Sequence, residues 1–337
     1  MFPGGPNPTQ VQFVPPGKAH NPPLPLVLIH DGGGTTFSYF VLGSLGRDVW
    51  AVHNPNYFEG LPWEGGMDEM AEKYAHLIAG ELSGPVMLGG WSLGGYLSLA
   101  VARVIATSPG TYPFSVAGLL IIDSPYHVAR SKITVPTSKP ELAGLPPRVQ
   151  KSFSNCDDML QHWDLPPWEA SPSDAGAEAK FTVAGEAFAV RKGEVLHKPV
   201  GSDVHDDKWQ TISVQTYVGD AQLDTWRTGA GGSPPPAVLM RCIKRAKPKQ
   251  SNGSNGRSEV AAAPPCLVDL FRDEKLLGWE ARHPDFIKAV IDVDADHYNL
   301  FDRTNTTGLE TVTAQLVTAL DVLDALNEAA TKRAQGA

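Results

Sequence analysis

The segment Gly-Gly-Trp-Ser-Leu-Gly-Gly at positions 89–95 constrains the fold more than any other part of the chain. It follows an apolar run, Pro85–Leu88, and precedes a segment with helical spacing, Ser92–Ile105. A turn of this kind strains the backbone of its central residue, and only small residues fit two positions before and after it. The pattern therefore predicts a strand, a sharp turn and a helix, with the Ser92 hydroxyl projecting above a sheet edge.

Short apolar runs recur along the chain and alternate with segments of helical spacing. Continuous runs of this length are typical of strands buried on both faces, as in parallel sheets. The sequence therefore predicts an α/β fold with a mainly parallel sheet and helices on both faces. The predicted strands are Leu26–His30, Val49–His53, Pro85–Leu88, Val116–Ile122, Ala237–Ile243 and Lys288–Val293, and the clearest helices are Gly66–Leu82 and a leucine-rich stretch near the end of the chain.

The alternation is interrupted between Pro125 and Gly232, where the chain is more polar and rich in Trp and Pro. We expect an inserted, mostly helical lid there. Its tryptophans either line a pocket or form the core of the lid itself; they are Trp163, Trp168, Trp209 and Trp226. The predicted boundaries are a proline-rich lead-in over 1–23, a core over 24–128 and 233–330, a lid over 129–232 and a flexible surface loop over 246–263.

Composition excludes several classes of partner. Lys and Arg number 28 against 37 Asp and Glu, a formal net charge of -9, so neither a nucleic acid nor an anionic membrane is an expected partner. The sequence contains no uninterrupted apolar stretch of about 18 residues and no signal-peptide pattern, so no membrane span or secretion is expected. Cys156, Cys242 and Cys266 form no CxxC pair, which predicts free thiols in a reducing, cytoplasmic compartment. An Asp/His cluster at 203–207 has no partner cluster, so no metal is predicted.

A serine nucleophile needs a base and an orienting carboxylate. Of ten histidines, His297 is the best placed, because it comes just after the last predicted strand. Asp123 ends the run Val116–Ile122 and would lie at the same sheet edge as Ser92 and His297. The alternative acid follows the next strand and is Asp269 or Asp273.

An acyl-transfer site also needs backbone donors for the oxyanion. One is expected to be the N–H of Leu93, the residue after the nucleophile. The other is expected in the turn after the first predicted strand, where Gly32 or Gly33 allows close approach.

Four segments together resemble the thioesterase domains that end fungal polyketide synthases and nonribosomal peptide synthetases, within the α/β-hydrolase superfamily. They read LVLIHDGGGTTFSYF, GGWSLGG, LLIIDSPY and DHYNLFD. In that family the acid follows the strand after the nucleophile helix, and the histidine lies in an Asp-His-aromatic turn. The resemblance thus implies Asp123 as the acid, His297 as the base, and an oxyanion hole made by the N–H groups of Gly32 and Leu93.

The resemblance also implies a reaction. Ser92 would attack an acyl thioester on the phosphopantetheine of an acyl carrier protein, and the chain would be released by hydrolysis or by cyclisation, with no cofactor of the enzyme's own. The chain begins with Met and shows no carrier, condensation or adenylation segment. It therefore looks like a free-standing enzyme of secondary metabolism that serves a polyketide synthase or peptide synthetase in trans.

Three other functions share these motifs. A carboxylesterase or lactonase acting on small free esters would differ only in its leaving group. An editing, type II thioesterase would clear stalled chains. A non-catalytic binding protein of the hydrolase fold would have no need of the Ser, His and Asp set. A basic segment at 241–257 is either a solvated loop or a docking site for an acidic carrier.

Overall fold

The computed structural model describes residues 4–142, 144–166, 168, 178–200, 208–214, 234–249, 263–281 and 285–336. Trp226, the Asp/His cluster at 203–207 and most of the loop predicted over 246–263 lie outside these residues. The described strands are β1 (Thr9–Gln12), β2 (Leu26–Ile29), β3 (Val49–Val52), β4 (Gly84–Trp91), β5 (Phe114–Ile122), β6 (Ala179–Val183), β7 (Glu186–Val190), β8 (Glu194–Lys198), β9 (Gln210–Ser213), β10 (Ala237–Cys242) and β11 (Ile287–Val293). The helices are α1 (Phe37–Phe40), α2 (Gly66–Ala79), α3 (Leu93–Thr107), α4 (Pro147–Leu160) and α5 (Thr306–Gly336).

Within the described residues, the main sheet has nine strands in the order β1-β3-β2-β4-β5-β10-β11-β8-β9. The strands from β3 to β8 in this order are parallel, and only the two outermost pairs, β1 with β3 and β8 with β9, are antiparallel. The predicted α/β fold with a mainly parallel sheet is therefore confirmed. Because β4, β5, β10 and β11 are consecutive and parallel, the residues that follow them meet at one edge of the sheet.

The sheet is covered on both faces, and alternate residues of each strand serve opposite faces. In β2, Val27 and Ile29 pack with α2 and α3, whereas Leu26 and Leu28 pack with α1, α5 and the β6–β7 hairpin. All four of these β2 side chains are fully buried. This two-sided burial explains why the strands read as continuous apolar runs rather than as alternating patterns.

The lid differs from its prediction. Its described residues contain one α-helix, α4, a short 3-10 helix at Arg130–Lys132 and four short strands, β6 to β9, so the expectation of a mostly helical lid is corrected. The signal was present in Ala179–Val183, where buried and exposed residues alternate, and in the positive φ angles of Ala184 and Gly185 at the hairpin turn. A run of five residues is too short to distinguish a strand from its surroundings by sequence pattern.

The predicted boundaries also differ from the observed sheet in two places. The proline-rich lead-in contributes β1, which pairs with β3 at one edge of the sheet. The segment assigned to the lid contributes β8 and β9, which extend the sheet beyond β11 at the other edge. Sheet pairing of this kind joins residues far apart in sequence, and local patterns do not record it.

No helix of the described ranges combines the length and the apolar character needed to cross a bilayer. The three cysteines are buried free thiols.

Leu320 on α5 provides a test of the core assignment. Its side chain is fully buried against the sheet, so Leu320→Ala is expected to lower the free energy of unfolding by about 2–5 kcal/mol in urea denaturation. Glu328→Ala on the same helix removes a side chain that is 70% exposed and is expected to change that free energy by about 0.5 kcal/mol or less. Equal losses in the two variants would contradict the assignment of this α5 face to the core.

Candidate active site

Ser92 stands between β4 and α3, as the sequence predicts, with φ 58° and ψ -118°. The turn leaves no room for a side chain two positions before or two positions after Ser92. A Cβ on Gly90 would lie 2.6 Å from the carbonyl oxygen of Ile29, and a Cβ on Gly94 would overlap the same oxygen. Glycine at both positions therefore allows β4 and α3 to pack against β2, which holds Ser92 in its strained conformation.

His297 faces Ser92 from the turn that follows β11. The Asp296 side chain forms this turn by accepting a hydrogen bond from the N–H of Tyr298 over 2.9 Å. His297 is 1% exposed, with its Nε2 at 3.0 Å from Ser92 Oγ and its Nδ1 at 2.8 Å from Asp123 Oδ2. Because a carboxylate only accepts, Nδ1 carries the proton, and Nε2 of the neutral ring is free to accept the Ser92 hydroxyl.

Asp123 follows β5 and is completely buried. Burial by itself would raise the pKa of this carboxyl, but the hydrogen bond from His297 and the charge of Arg272 outweigh it and lower the pKa to about 2. The Cys242 N–H also donates to Oδ1 over 2.9 Å. Asp123 is therefore ionised at any pH near neutrality and keeps the imidazole in one orientation.

The alternative acids do not reach His297. Asp269 is buried and accepts hydrogen bonds from Arg272 Nε and from the N–H of Ala246. Asp273 is 86% exposed at its side chain and pairs with Arg245. Of the three candidate acids, the structure thus brings only Asp123 to the histidine.

The two expected oxyanion donors, Gly32 and Leu93, border the same cavity as Ser92. Gly33 is engaged elsewhere, since its N–H donates to Asp31 Oδ1 over 2.6 Å. Among the hydrogen bonds of the described residues, none uses the N–H of Gly32 or of Leu93. Between Gly32 and Gly33, the arrangement therefore favours Gly32 as the second donor.

The cavity above Ser92 has a volume of about 460 Å³ and is mainly apolar. This size is in the range of small-molecule sites. Its floor is formed by the Ser92 turn and by Trp91, whose ring centroid lies 5.5 Å from that of His297. Its apolar walls come from the lid and from the segment after β10; they include Val135, Phe153, Leu160, Leu270 and Phe271.

The three described lid tryptophans do not border this cavity. Trp163 packs against His127, at a ring-centroid distance of 5.2 Å. Trp168 is 8% exposed and joins the core cluster on the α3 face, and Trp209 packs against Phe188. For these three residues the structure decides the open alternative in favour of packing.

Three residues of the site were not singled out from the sequence. Trp91 is the variable residue of the Gly-x-Ser-x-Gly motif, and only its position beside Ser92 could have drawn attention to it. Burial raises the pKa of Asp31 to about 6, against a hydrogen bond from Gly33 and the electrostatic influence of His297, so a carboxyl with a raised pKa borders the cavity. Arg272 had no sequence signal, because its contact with Asp123 spans 149 positions.

In the basic segment at 241–257, three of the five described basic side chains pair with carboxylates. Arg241 is 6% exposed and binds Asp292 through two N–H groups. Lys244 pairs with Asp294, and Arg245 pairs with Asp273. Lys247 and Lys249 are exposed, and Arg257 lies outside the described residues.

Within the described residues, no group of three His, Cys, Asp or Glu side chains could hold a metal ion.

The chain is similar to known proteins along almost its whole length. The family model "Thioesterase domain" matches residues 24–162. The "Probable thioesterase lcsE" of Purpureocillium lilacinum is 40% identical over 332 residues, which cover 96% of this chain and 98% of that protein. The "Nonribosomal peptide synthetase imqB" of Aspergillus flavus is 43% identical over 303 residues, which cover 88% of this chain and 7% of the synthetase.

A solved structure shows the same fold. It is the NocB thioesterase domain in covalent complex with a fluorophosphonate nocardicin G analogue, with a TM-score of 0.50 and 16% identity. The match covers 89% of this chain and 96% of that domain.

Proposed function

The chain belongs to the thioesterase family, and we propose that it releases acyl chains from carrier proteins through an acyl-enzyme formed on Ser92. The observation that carries this proposal is the continuous hydrogen-bonded series from Ser92 Oγ through His297 to Asp123, with steps of 3.0 and 2.8 Å. Such a series activates a hydroxyl that is otherwise a weak nucleophile.

In the first half of the reaction, Ser92 Oγ attacks the thioester carbonyl while its proton passes to His297 Nε2. The N–H groups of Gly32 and Leu93 stabilise the oxyanion. The C–S bond then breaks, and the departing phosphopantetheine sulfur takes the proton from His297. The result is an ester on Ser92 and a free carrier thiol.

In the second half, water attacks the ester carbonyl and gives a proton to His297. The bond to Ser92 Oγ breaks, and Ser92 regains that proton, so a free acid leaves. A hydroxyl of the acyl chain in place of water would give a lactone by the same steps. We propose hydrolysis as the main outcome, and mass spectrometry of the product distinguishes the acid from the lactone by the mass of one water.

We propose that the carrier belongs to a polyketide synthase or a nonribosomal peptide synthetase of secondary metabolism. The similarity to a segment of a synthetase supports this class of partner. The near end-to-end similarity to a separate thioesterase supports a carrier supplied in trans. A cytoplasmic location stays a prediction from composition.

The leaving group distinguishes a thioesterase from a carboxylesterase. With one acyl group presented as an N-acetylcysteamine thioester and as a p-nitrophenyl ester, kcat/KM is expected to be at least about tenfold higher for the thioester. A preference for the oxygen ester would favour the carboxylesterase or lactonase, and slow turnover of short acyl groups alone would favour an editing enzyme. Failure of a fluorophosphonate probe to label Ser92 would favour a binding protein.

A further inference from the structure

Arg272 is a buried cation that contacts two of the three candidate acids, Asp123 and Asp269. It is 4% exposed, and hydrogen bonds use all five of its N–H groups, the full capacity of a guanidinium. Nη1 and Nη2 donate to the two carboxylate oxygens of Asp123, and Nε donates to Asp269 Oδ1 over 2.9 Å. The two remaining N–H groups donate to the carbonyls of Cys242 and Val268, over 2.7 and 3.2 Å.

We propose that Arg272 is a positioning residue for this active site, that it fixes the Asp123 carboxylate in the orientation and charge state that His297 requires, and that Asp269 fixes Arg272 in turn. The inference rests on the proposed function, because it assumes that His297 acts as the base for Ser92.

The first argument concerns orientation. A carboxylate bound by one histidine can rotate about its Cβ–Cγ bond, whereas two parallel N–H donors of a guanidinium define its plane. In Asp123 the plane is defined by Arg272, and Oδ2 is left pointing at His297 Nδ1. A lysine would offer a point charge instead of a fork and could not define the plane.

The second argument concerns charge. Asp123 is fully buried and faces a neutral imidazole in the resting site, so its charge needs a cation nearby. Arg272 provides that cation, but alone it would also cancel the negative charge that stabilises the imidazolium form of His297. Asp269 restores one negative charge on the far side of Arg272. The set of Asp123, Arg272 and Asp269 therefore keeps a net negative charge, which the protonated His297 balances during the reaction.

The other titratable groups around Asp123 do not supply the positive charge that Arg272 supplies. Burial raises the pKa of the Cys242 thiol well above its usual value, and burial raises that of the Tyr96 phenol. Both groups are therefore neutral at the pH of the reaction. Among the described residues, His297 and Arg272 are the cationic or potentially cationic side chains in contact with the Asp123 carboxylate.

The segment that holds Arg272 is also a wall of the acyl cavity. Leu270 and Phe271, which lie between Asp269 and Arg272, border the cavity. The segment thus shapes the pocket and positions the acid with the same few residues. Asp269, the acid that follows β10, therefore binds Arg272 and does not contact His297.

The test is the Arg272→Met variant, assayed with a short-chain N-acetylcysteamine thioester. We expect kcat to fall by about 10–100-fold, the size of loss seen when residues that orient metal ligands are replaced, and KM to stay within about twofold. The acidic limb of the kcat–pH profile should move to higher pH, because Asp123 without its cation takes up a proton more readily. Wild-type kcat with an unmoved acidic limb would overturn the inference.

A matched control is Arg47→Met. Arg47 is 3% exposed and binds Asp324 through two N–H groups, over 3.2 and 2.7 Å, outside the active site. This variant should lose thermal stability without moving the acidic limb. If the limb moves equally in both variants, the shift reports general destabilisation, and the positioning role is refuted.

Two further variants cover the case in which Arg272→Met does not fold. In Arg272→Lys the charge is kept and the fork is lost, so a reduced kcat is expected and a wild-type kcat overturns the inference. The double variant Arg272→Met/Asp269→Asn removes one charge of each sign. Recovery of wild-type kcat there would show that Arg272 only balances Asp269.

Failure of the proposed function gives a different result. An active Ser92→Ala enzyme would refute the acyl-enzyme itself. An inactive Ser92→Ala enzyme together with a normal Arg272→Met enzyme would refute only the positioning role.

Discussion

Ser92→Ala is expected to lower kcat for thioester cleavage by about six orders of magnitude, the size of effect seen when a triad serine is removed elsewhere. The reason is that no acyl-enzyme can form, and His297 Nε2 has no hydroxyl to deprotonate. The cavity and the oxyanion donors remain, so binding should persist and KM should change little. The measurement is the rate of thiol release from an N-acetylcysteamine thioester, together with intact-mass analysis for an acyl adduct.

Ser98→Ala is the matched control, because Ser98 lies in α3, the helix that follows Ser92, is fully buried and donates to the Gly94 carbonyl over 2.7 Å. Losing that hydrogen bond is expected to reduce stability by about 1 kcal/mol and to leave kcat within a few-fold of wild type. Thiol release by Ser92→Ala at more than about a thousandth of the wild-type kcat, or an acyl adduct on that variant, would contradict Ser92 as the nucleophile.

The part of the site that sequence predicts is the part that the sheet topology dictates. Ser92, Asp123 and His297 each follow a strand, and parallel strands end at a common edge. Motif and strand order therefore predict Ser92 and His297 at one sheet edge with Asp123 as one of the candidate acids, and the family resemblance favours Asp123 over Asp269 and Asp273. The glycines around Ser92 gave the sharpest signal, because steric exclusion there permits few other residues.

The position of Arg272 in the site could not be predicted from the sequence. Its segment reads Leu-Val-Asp-Leu-Phe-Arg, which resembles an ordinary amphipathic turn. What gives Arg272 its place is the packing of this segment against the ends of β5 and β10, which brings the Asp123 carboxylate and the Cys242 carbonyl within reach. A local pattern carries no record of partners that lie more than a hundred positions away.

The described part of the lid differs from its prediction for a related reason. Strands β8 and β9 are stabilised by pairing with the edge of a sheet formed elsewhere in the chain, and their own residues mix polar and apolar types. A buried hydrogen-bonded network of His197, Asp292 and Arg241 further joins β8 to β11 and β10. Tertiary context thus decides the structure of this region more than local propensity does.

Asp123→Asn is expected to lower kcat by about four orders of magnitude, as the corresponding substitution does in a serine protease triad. The amide is the same size as the carboxylate, but its two ends differ. Arg272 Nη1 and the Cys242 N–H both donate to the Oδ1 position, so together they favour the amide oxygen there. The amide NH₂ then faces His297 Nδ1, which must accept. The imidazole proton moves to Nε2, where it blocks proton transfer from Ser92.

The matched control is Asp273→Asn, because Asp273 is the other acid that the sequence offered and its side chain is exposed. That variant should keep wild-type kcat, and its loss of a surface ion pair should change stability by about 1 kcal/mol or less. The two kcat values decide between the candidate acids. Near-normal turnover by Asp123→Asn, or a large loss in Asp273→Asn, would transfer the catalytic role to the segment after β10. A large loss confined to Asp123→Asn would instead leave Arg272 and Asp269 as the groups that hold the acid in place, since Arg272 contacts the Asp123 carboxylate and Asp269 contacts Arg272.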